Sequence, residues 1–247
     1  MLIAELTKLK RAQLWVVIIV LPILAVVTGT VNTTANAGVV TQSWDGLMSQ
    51  ITLFYGLFFC AIGVAIIVAA GWRMEHSGTN WIQVRTTTPH YLRFVLAKII
   101  ALLVPVAGMS LMLLVGAFIG GKLAMGLPGL PSPTMLSATA LTVIVAAPLV
   151  ALQSVFSIWM RSFAAPVGVA LLGCILGIGV SMAAPEFASF TPYSLLSEGI
   201  LMGSLAVGDS EVSAAKVIQM LIATAVMTGA FAATGAMCLR WRLSKAA

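Results

Sequence analysis

The chain has 247 residues, 60% of them hydrophobic and 8% charged, with a mean hydropathy of +1.08. A soluble domain carries charge on roughly a quarter of its residues, so this composition excludes an ordinary soluble enzyme or binding module. The net charge of +6 does not mark a nucleic-acid surface, because the basic residues sit at the ends of apolar runs, where they set membrane topology.

In chain order, residues 1–13 come first. Leu2, Leu6 and Leu9 share one helical stripe, and Glu5, Lys8 and Arg11 occupy the other side. That is the pattern of an amphipathic helix lying in the membrane interface, with Trp15 at headgroup depth. Apolar runs then predict six spans, at about 14–31, 51–72, 94–119, 135–158, 163–184 and 217–239, each long enough to cross a hydrocarbon core about 30 Å thick. The first run follows basic residues and precedes Ala35-Asn36-Ala37, as in a cleavable signal peptide. It exceeds the roughly 7–15-residue apolar core of such peptides and is read as a span.

Span two carries four aromatics in its outer half, Phe54, Tyr55, Phe58 and Phe59. Packing explains them most simply; a surface facing an amphiphilic substrate is the other reading. Next comes GWRMEHSGTNWIQVRTTTPHYLR, Gly71 to Arg93, a polar stretch between two apolar runs that holds both histidines. His76 and His90 lie fourteen residues apart with no cysteine nearby, which does not suit a metal site. Lys98, about one turn inside span three, is expected to snorkel back to the surface. GAFIGGKL, Gly116 to Leu123, has phosphate-loop spacing, but Leu123 stands where a magnesium-binding Ser or Thr belongs.

Pro105 and Pro148 are expected to kink spans three and four. Gly116/Gly120, Gly173/Gly177 and Gly199/Gly203 have the spacing that lets helices approach closely. Between spans five and six, residues 185–215 are too apolar for a free loop and too short to span, which predicts short re-entrant or interfacial helices. Cys60, Cys174 and Cys238 all fall inside apolar runs and read as buried small side chains.

Eleven lysines and arginines fall on one side of this arrangement and two, Lys122 and Lys216, on the other, which predicts that both termini are cytoplasmic. The chain reads as one all-α transmembrane domain, 1–247, resident in a bilayer and with no nucleic-acid partner. No span has Asp, Glu, His or Arg near its middle, so a proton relay or intramembrane catalysis lacks its parts. Sodium coupling through hydroxyls and carbonyls stays open.

Two stretches resemble a known family. AELTKLKRAQLW…LPIL, Ala4 to Leu24, has an acid, a lysine-rich turn and a first-span proline, here Glu5, Lys8/Lys10/Arg11 and Pro22. In the polar loop, Glu75, Gly78, Thr88-Pro89, Arg93 and Lys98 fit a second pattern. Both resemble membrane subunits of type-2 ABC transporters, in the branch linked to lantibiotic immunity and multidrug export. The resemblance implies a permease of a bacterial plasma membrane, without ATPase motifs or a cofactor of its own. It also implies an ATP-binding cassette subunit that holds ATP and magnesium, and a second permease copy or homologue.

On that resemblance the polar loop holds a cytoplasmic coupling helix that docks into the ATP-binding subunit. Trp81 and Ile82 would anchor it, Arg73, Glu75 and Arg85 would pair across its rim, Gly78 lies within it, and Thr88 and Pro89 would end it. The expected function is ATP-driven export of an amphiphilic peptide or drug-like molecule. An ion-gradient carrier and a non-transporting membrane immunity protein are the alternatives.

Overall fold

The computed structural model describes residues 2–9, 12–77, 80–87, 90–202, 204–205 and 213–245. Among them the chain is helical with no strands, and six helical stretches are long and apolar enough to cross a membrane. Helix α1 (Leu2–Leu9) turns at Gln13, whose φ of 51° lies in the left-handed region, into span one, α2 (Trp15–Ala35). Span two joins α3 (Trp44–Phe54), a π-helical turn at Tyr55–Phe59, α4 (Cys60–Arg73) and a 3-10 turn at Met74–His76. The short α5 (Asn80–Thr87) leads to span three, α6 (Tyr91–Ile119), which ends in a second π-helical turn at Gly120–Ala124. Span four is α7 (Pro133–Val145) and α8 (Ala147–Trp159), and span five is α9 (Ala164–Ala183). A 3-10 turn at Pro185–Phe190 and α10 (Pro192–Leu201) precede the last span, α11 (Ala214–Lys245).

Span two begins about seven residues before the expected boundary at 51. Ser43 caps it by accepting from the Gly46 amide. Trp44 is buried against Phe118 with its rings nearly parallel, and its Nε1 donates to the Pro128 carbonyl at 2.7 Å. Spans one and six also run past the expected ends. The expected break at Pro148 is present, as α7 and α8 are separate helices meeting at Ala146. Pro105 sits inside an unbroken α6.

The core lies where α4 and α8 cross, flanked by α2 on α3 and α6 and by α11 on α8. The glycine pairs mark close approaches. A Cβ on Gly116 or Gly120 would meet Val26 and Thr30 of α2, and one on Gly173 would stand 2.2 Å from the Tyr193 ring of α10. Gly199 faces Val145; Gly203 lies outside the described residues.

Helix α10 is inserted in the bundle, with Ser194, Leu195 and Leu196 fully buried. Three side-chain hydrogen bonds hold it there. Tyr193 Oη accepts from Gln153 Nε2 of span four at 2.6 Å, and Ser194 Oγ donates to the Gly177 carbonyl of span five at 3.0 Å. Ser197 Oγ donates to the Gly56 carbonyl at 2.8 Å, inside the π-helical turn of span two. A π-turn leaves carbonyls out of the regular helical ladder, and here α10 satisfies one.

Candidate functional site

The polar loop and α1 meet at the basic end of the bundle. Glu5 comes from α1, Glu75 from the 3-10 turn after α4, and Lys98 from the second turn of α6. Lys98 Nζ donates to Glu5 Oε2 at 2.8 Å and to Glu75 Oε1 at 2.7 Å. Lys8 Nζ donates to Glu5 Oε1 and to the same Glu75 Oε1, both at 2.8 Å. Two cations and two anions therefore close a balanced cluster in which Glu75 and Lys98 have almost no exposed surface. Burying such groups costs several kcal/mol per ion unless partners surround them. An ammonium has three donors; two go to carboxylates, and the Lys98 head also lies 4.8 Å above the Trp72 ring and 5.6 Å from that of Phe94. Glu75 Oε2 has no hydrogen-bond partner.

This arrangement departs from two expectations and orients α1. Lys98 does not snorkel to the surface, because buried carboxylates hold it 1% exposed. Glu75 is fully buried and cannot form an exposed rim pair, since both lysines claim its carboxylate. Helix α1 turns Glu5 onto Lys98 in the bundle, with Leu9 of its apolar stripe packed against the core and Ile3 81% exposed.

Burial opposes ionisation of Glu5, but Lys98 and Lys8 outweigh it and hold the carboxyl below its usual range. Burial likewise opposes the Lys8 charge, yet Glu5 and Glu75 hold that ammonium above its usual range.

A second cluster ties α5 to spans four and six. Arg242 Nη1 donates to the Ile158 carbonyl, and Nη2 lies 3.2 Å from His76 Nδ1. A guanidinium only donates, so Nδ1 is the acceptor and the imidazole proton is assigned to Nε2, which donates to the Ser157 carbonyl at 2.7 Å. The guanidinium also lies 4.7 Å over the Trp81 ring, and the His76 and Trp81 rings meet edge to face at 5.2 Å. Trp81 and Val84, one helical turn apart on α5, are thus turned into the bundle, whereas the sequence reading sent Trp81 outward. Arg85 and Thr86 are exposed.

Of the other loop residues, Arg73 is exposed with its guanidinium 5.9 Å from the Phe163 ring. Ile82 is on α5 with its side chain outside the described residues, and Gly78, Thr88 and Pro89 lie outside them altogether. The four aromatics of span two do not form one patch. The π-turn rotates Tyr55 into the core at 1% exposure and Phe58 outward at 41%, with Phe54 and Phe59 between. Lys122 of the phosphate-loop-like stretch is engaged by its own chain, donating to the Leu127 carbonyl at 2.9 Å.

The sequence reading gave Lys8 only a place in the family-like opening stretch and Arg242 only one in the topology, and it gave no role to Gln153 or Tyr193. Their only signal was a polar residue within or just beyond an apolar run.

No curated protein and no solved structure matches the chain. The family described as ABC-2 family transporter protein matches residues 1–177, well over half of the 247, and includes α1, the charge cluster and α5. A buried charge cluster and a short helix packed at the basic end of six spans are therefore parts of a membrane permease, and the chain belongs to the ABC-2 transporter family.

Proposed function

We propose that the chain is the permease of an ATP-driven exporter, powered by a separate ATP-binding subunit that carries ATP and magnesium. The observation that carries this reading is the packing of the Met74–His76 turn and α5. Its exposed side, Arg85 and Thr86, faces away from the bundle, while Trp81 and Glu75 reach inward to α11, α6 and α1. A push on the outer side of α5 is thereby delivered to three helices through short, directional contacts. The basic end is cytoplasmic in this reading, supported by eleven basic residues there against two at the other end, and the ATP-binding subunit docks there. A second permease copy or homologue completes the translocation path by alternating access. The cargo is amphiphilic, a membrane-active peptide or drug-like molecule, in keeping with the small, mostly uncharged polar groups inside the spans.

The test is purification of the full chain from its native membrane in mild detergent. An ATP-hydrolysing subunit is expected in the same particle, and Arg85→Glu is expected to reduce its recovery. Ion-gradient-driven transport by the chain alone in proteoliposomes, with no such subunit, overturns the reading.

A further inference from the structure

Charge does not balance at the basic end. Of the side-chain carboxylates only Glu5 and Glu75 fall there, and Lys8 and Lys98 claim both. Among the described residues no carboxylate pairs with Arg73, Arg161 or Arg240, and all three are exposed. The Arg161 charge also acts on Arg242, so like charges gather where the ends of α4, α8, α9 and α11 lie together.

These side chains shape a site. Arg73 at the end of α4, with Arg161 and Ser162 before α9, rims one narrow cleft. The Arg73 guanidinium lies 5.9 Å from the ring of Phe163, the residue from which α9 starts. No side chain caps that start, and its first amides carry the positive end of a 20-residue helix. Ser157, 2% exposed, lies deeper in the same cleft, and its Oγ has no hydrogen-bond partner. No acid lines the cleft.

Aromatic rings mark its depth in the membrane. Trp159 at the end of α8 and Trp241 of α11 have ring centroids 4.7 Å apart, and both residues are 46% exposed. Tryptophan at the end of a span sits at headgroup level. Two to three turns further along α9, Leu172, Ile175 and Leu176 are 64%, 61% and 70% exposed and form an apolar wall.

We propose that this cleft binds the phosphate of an anionic phospholipid, with Arg73, Arg161 and the first amides of α9 on the headgroup and the acyl chains along α9. Phosphate suits both the guanidinium fork and a helix N-terminus, and basic pockets between spans hold anionic headgroups. A zwitterionic lipid brings a cation among arginines, with no free carboxylate to receive it. The rim consists of exposed side chains, so it widens for a phosphate oxygen to reach the Ser157 hydroxyl. This binding does not depend on the permease reading above.

The experiment titrates the full chain in mild detergent with dioleoylphosphatidylglycerol and counts bound lipid by native mass spectrometry. Dioleoylphosphatidylcholine and inorganic phosphate are the matched arms. Saturable phosphatidylglycerol binding is expected, about tenfold tighter than that of phosphatidylcholine, and about fivefold weaker in Arg73→Gln or Arg161→Gln. Both arginines are exposed, so the fold tolerates glutamine there. Arg93→Gln removes a charge from the same end outside the cleft and is expected to leave binding unchanged. Equal binding of the two lipids, an equal loss in Arg93→Gln, or unchanged affinity in both cleft variants overturns the proposal. Displacement of the lipid by inorganic phosphate, which would mark an ion site, or by a bound partner protein, which would mark a docking surface, overturns it as well.

Discussion

Lys98 Nζ stands 2.7 Å from Glu75 Oε1, and the two side chains are 2% and 1% exposed. Span three is thus joined to the loop before α5 by a charged contact sealed from solvent, with α1 held to the same pair through Glu5 and Lys8. Such contacts act over short distances and transmit displacement because neither partner has water to turn to.

Removing one member is expected to cost more than removing a balanced pair. Lys98→Met leaves two carboxylates for Lys8 alone and is predicted to destabilise the chain by about 3–5 kcal/mol. The double change Glu75→Leu with Lys98→Met leaves a neutral Glu5–Lys8 pair. It is predicted to cost less than the sum of the two singles, with a coupling of about 1–3 kcal/mol. Thermal or denaturant unfolding in micelles measures both.

Docking of α1 is expected to depend on pH at both extremes. The folded carboxyl of Glu5 lies below its usual value of 4.5, so its contribution is complete above that value and is lost as pH falls through the folded one. Lys8 lies above 10.5 when folded, so its contribution is complete below 10.5 and is lost as pH rises beyond the raised value. A spin label at exposed Thr7 should be immobile at neutral pH and gain mobility in strong acid and strong base. Equal mobility throughout would mean that apolar contacts alone hold α1.

Four glycines of α9 divide into two kinds. A Cβ on Gly173 or Gly177 would press within 2.2 or 2.8 Å of Tyr193, whereas Gly168 and Gly179 have nothing within 4 Å. Gly173→Ala is predicted to displace α10 and destabilise by about 1–3 kcal/mol. Gly168→Ala and Gly179→Ala are predicted to be neutral or to stabilise by up to about 1 kcal/mol, through helix propensity and a less free unfolded chain. Comparing the midpoints of thermal unfolding separates the two groups.

Arg242→Lys keeps the charge but loses the planar group that lies over Trp81 while donating to His76 and the Ile158 carbonyl. Trp81 is expected to become more open to collisional quenching, and ATP-driven transport to fall while assembly with the ATP-binding subunit persists. Unchanged quenching would show that Trp81 is held by packing alone.

Span number, the helical character of residues 2–9, the short helix between spans two and three, and the break near Pro148 were legible because each leaves a one-dimensional trace. Apolar run length, charge at run ends and proline position report the membrane directly. The site was less legible. Glu75 and Trp81 stood out in the sequence, yet the side they face did not, because a polar loop residue looks alike whether it meets water or a lysine from a distant span. Lys8 and Arg242 read as topology signals for the same reason.

The sequence by itself determined that this protein is an all-helical membrane protein of six spans with a polar, tryptophan-bearing loop at its basic end, since bilayer thickness and the cost of unpaired backbone groups leave few other arrangements for such runs. Only the tertiary structure decided that α1 turns its charges inward, that Glu75 and Lys98 pair across twenty-three positions, and that α10 enters the bundle against Gly173. Those outcomes depend on which buried charge or open groove lies opposite, a relation between residues distant in sequence that no local pattern records.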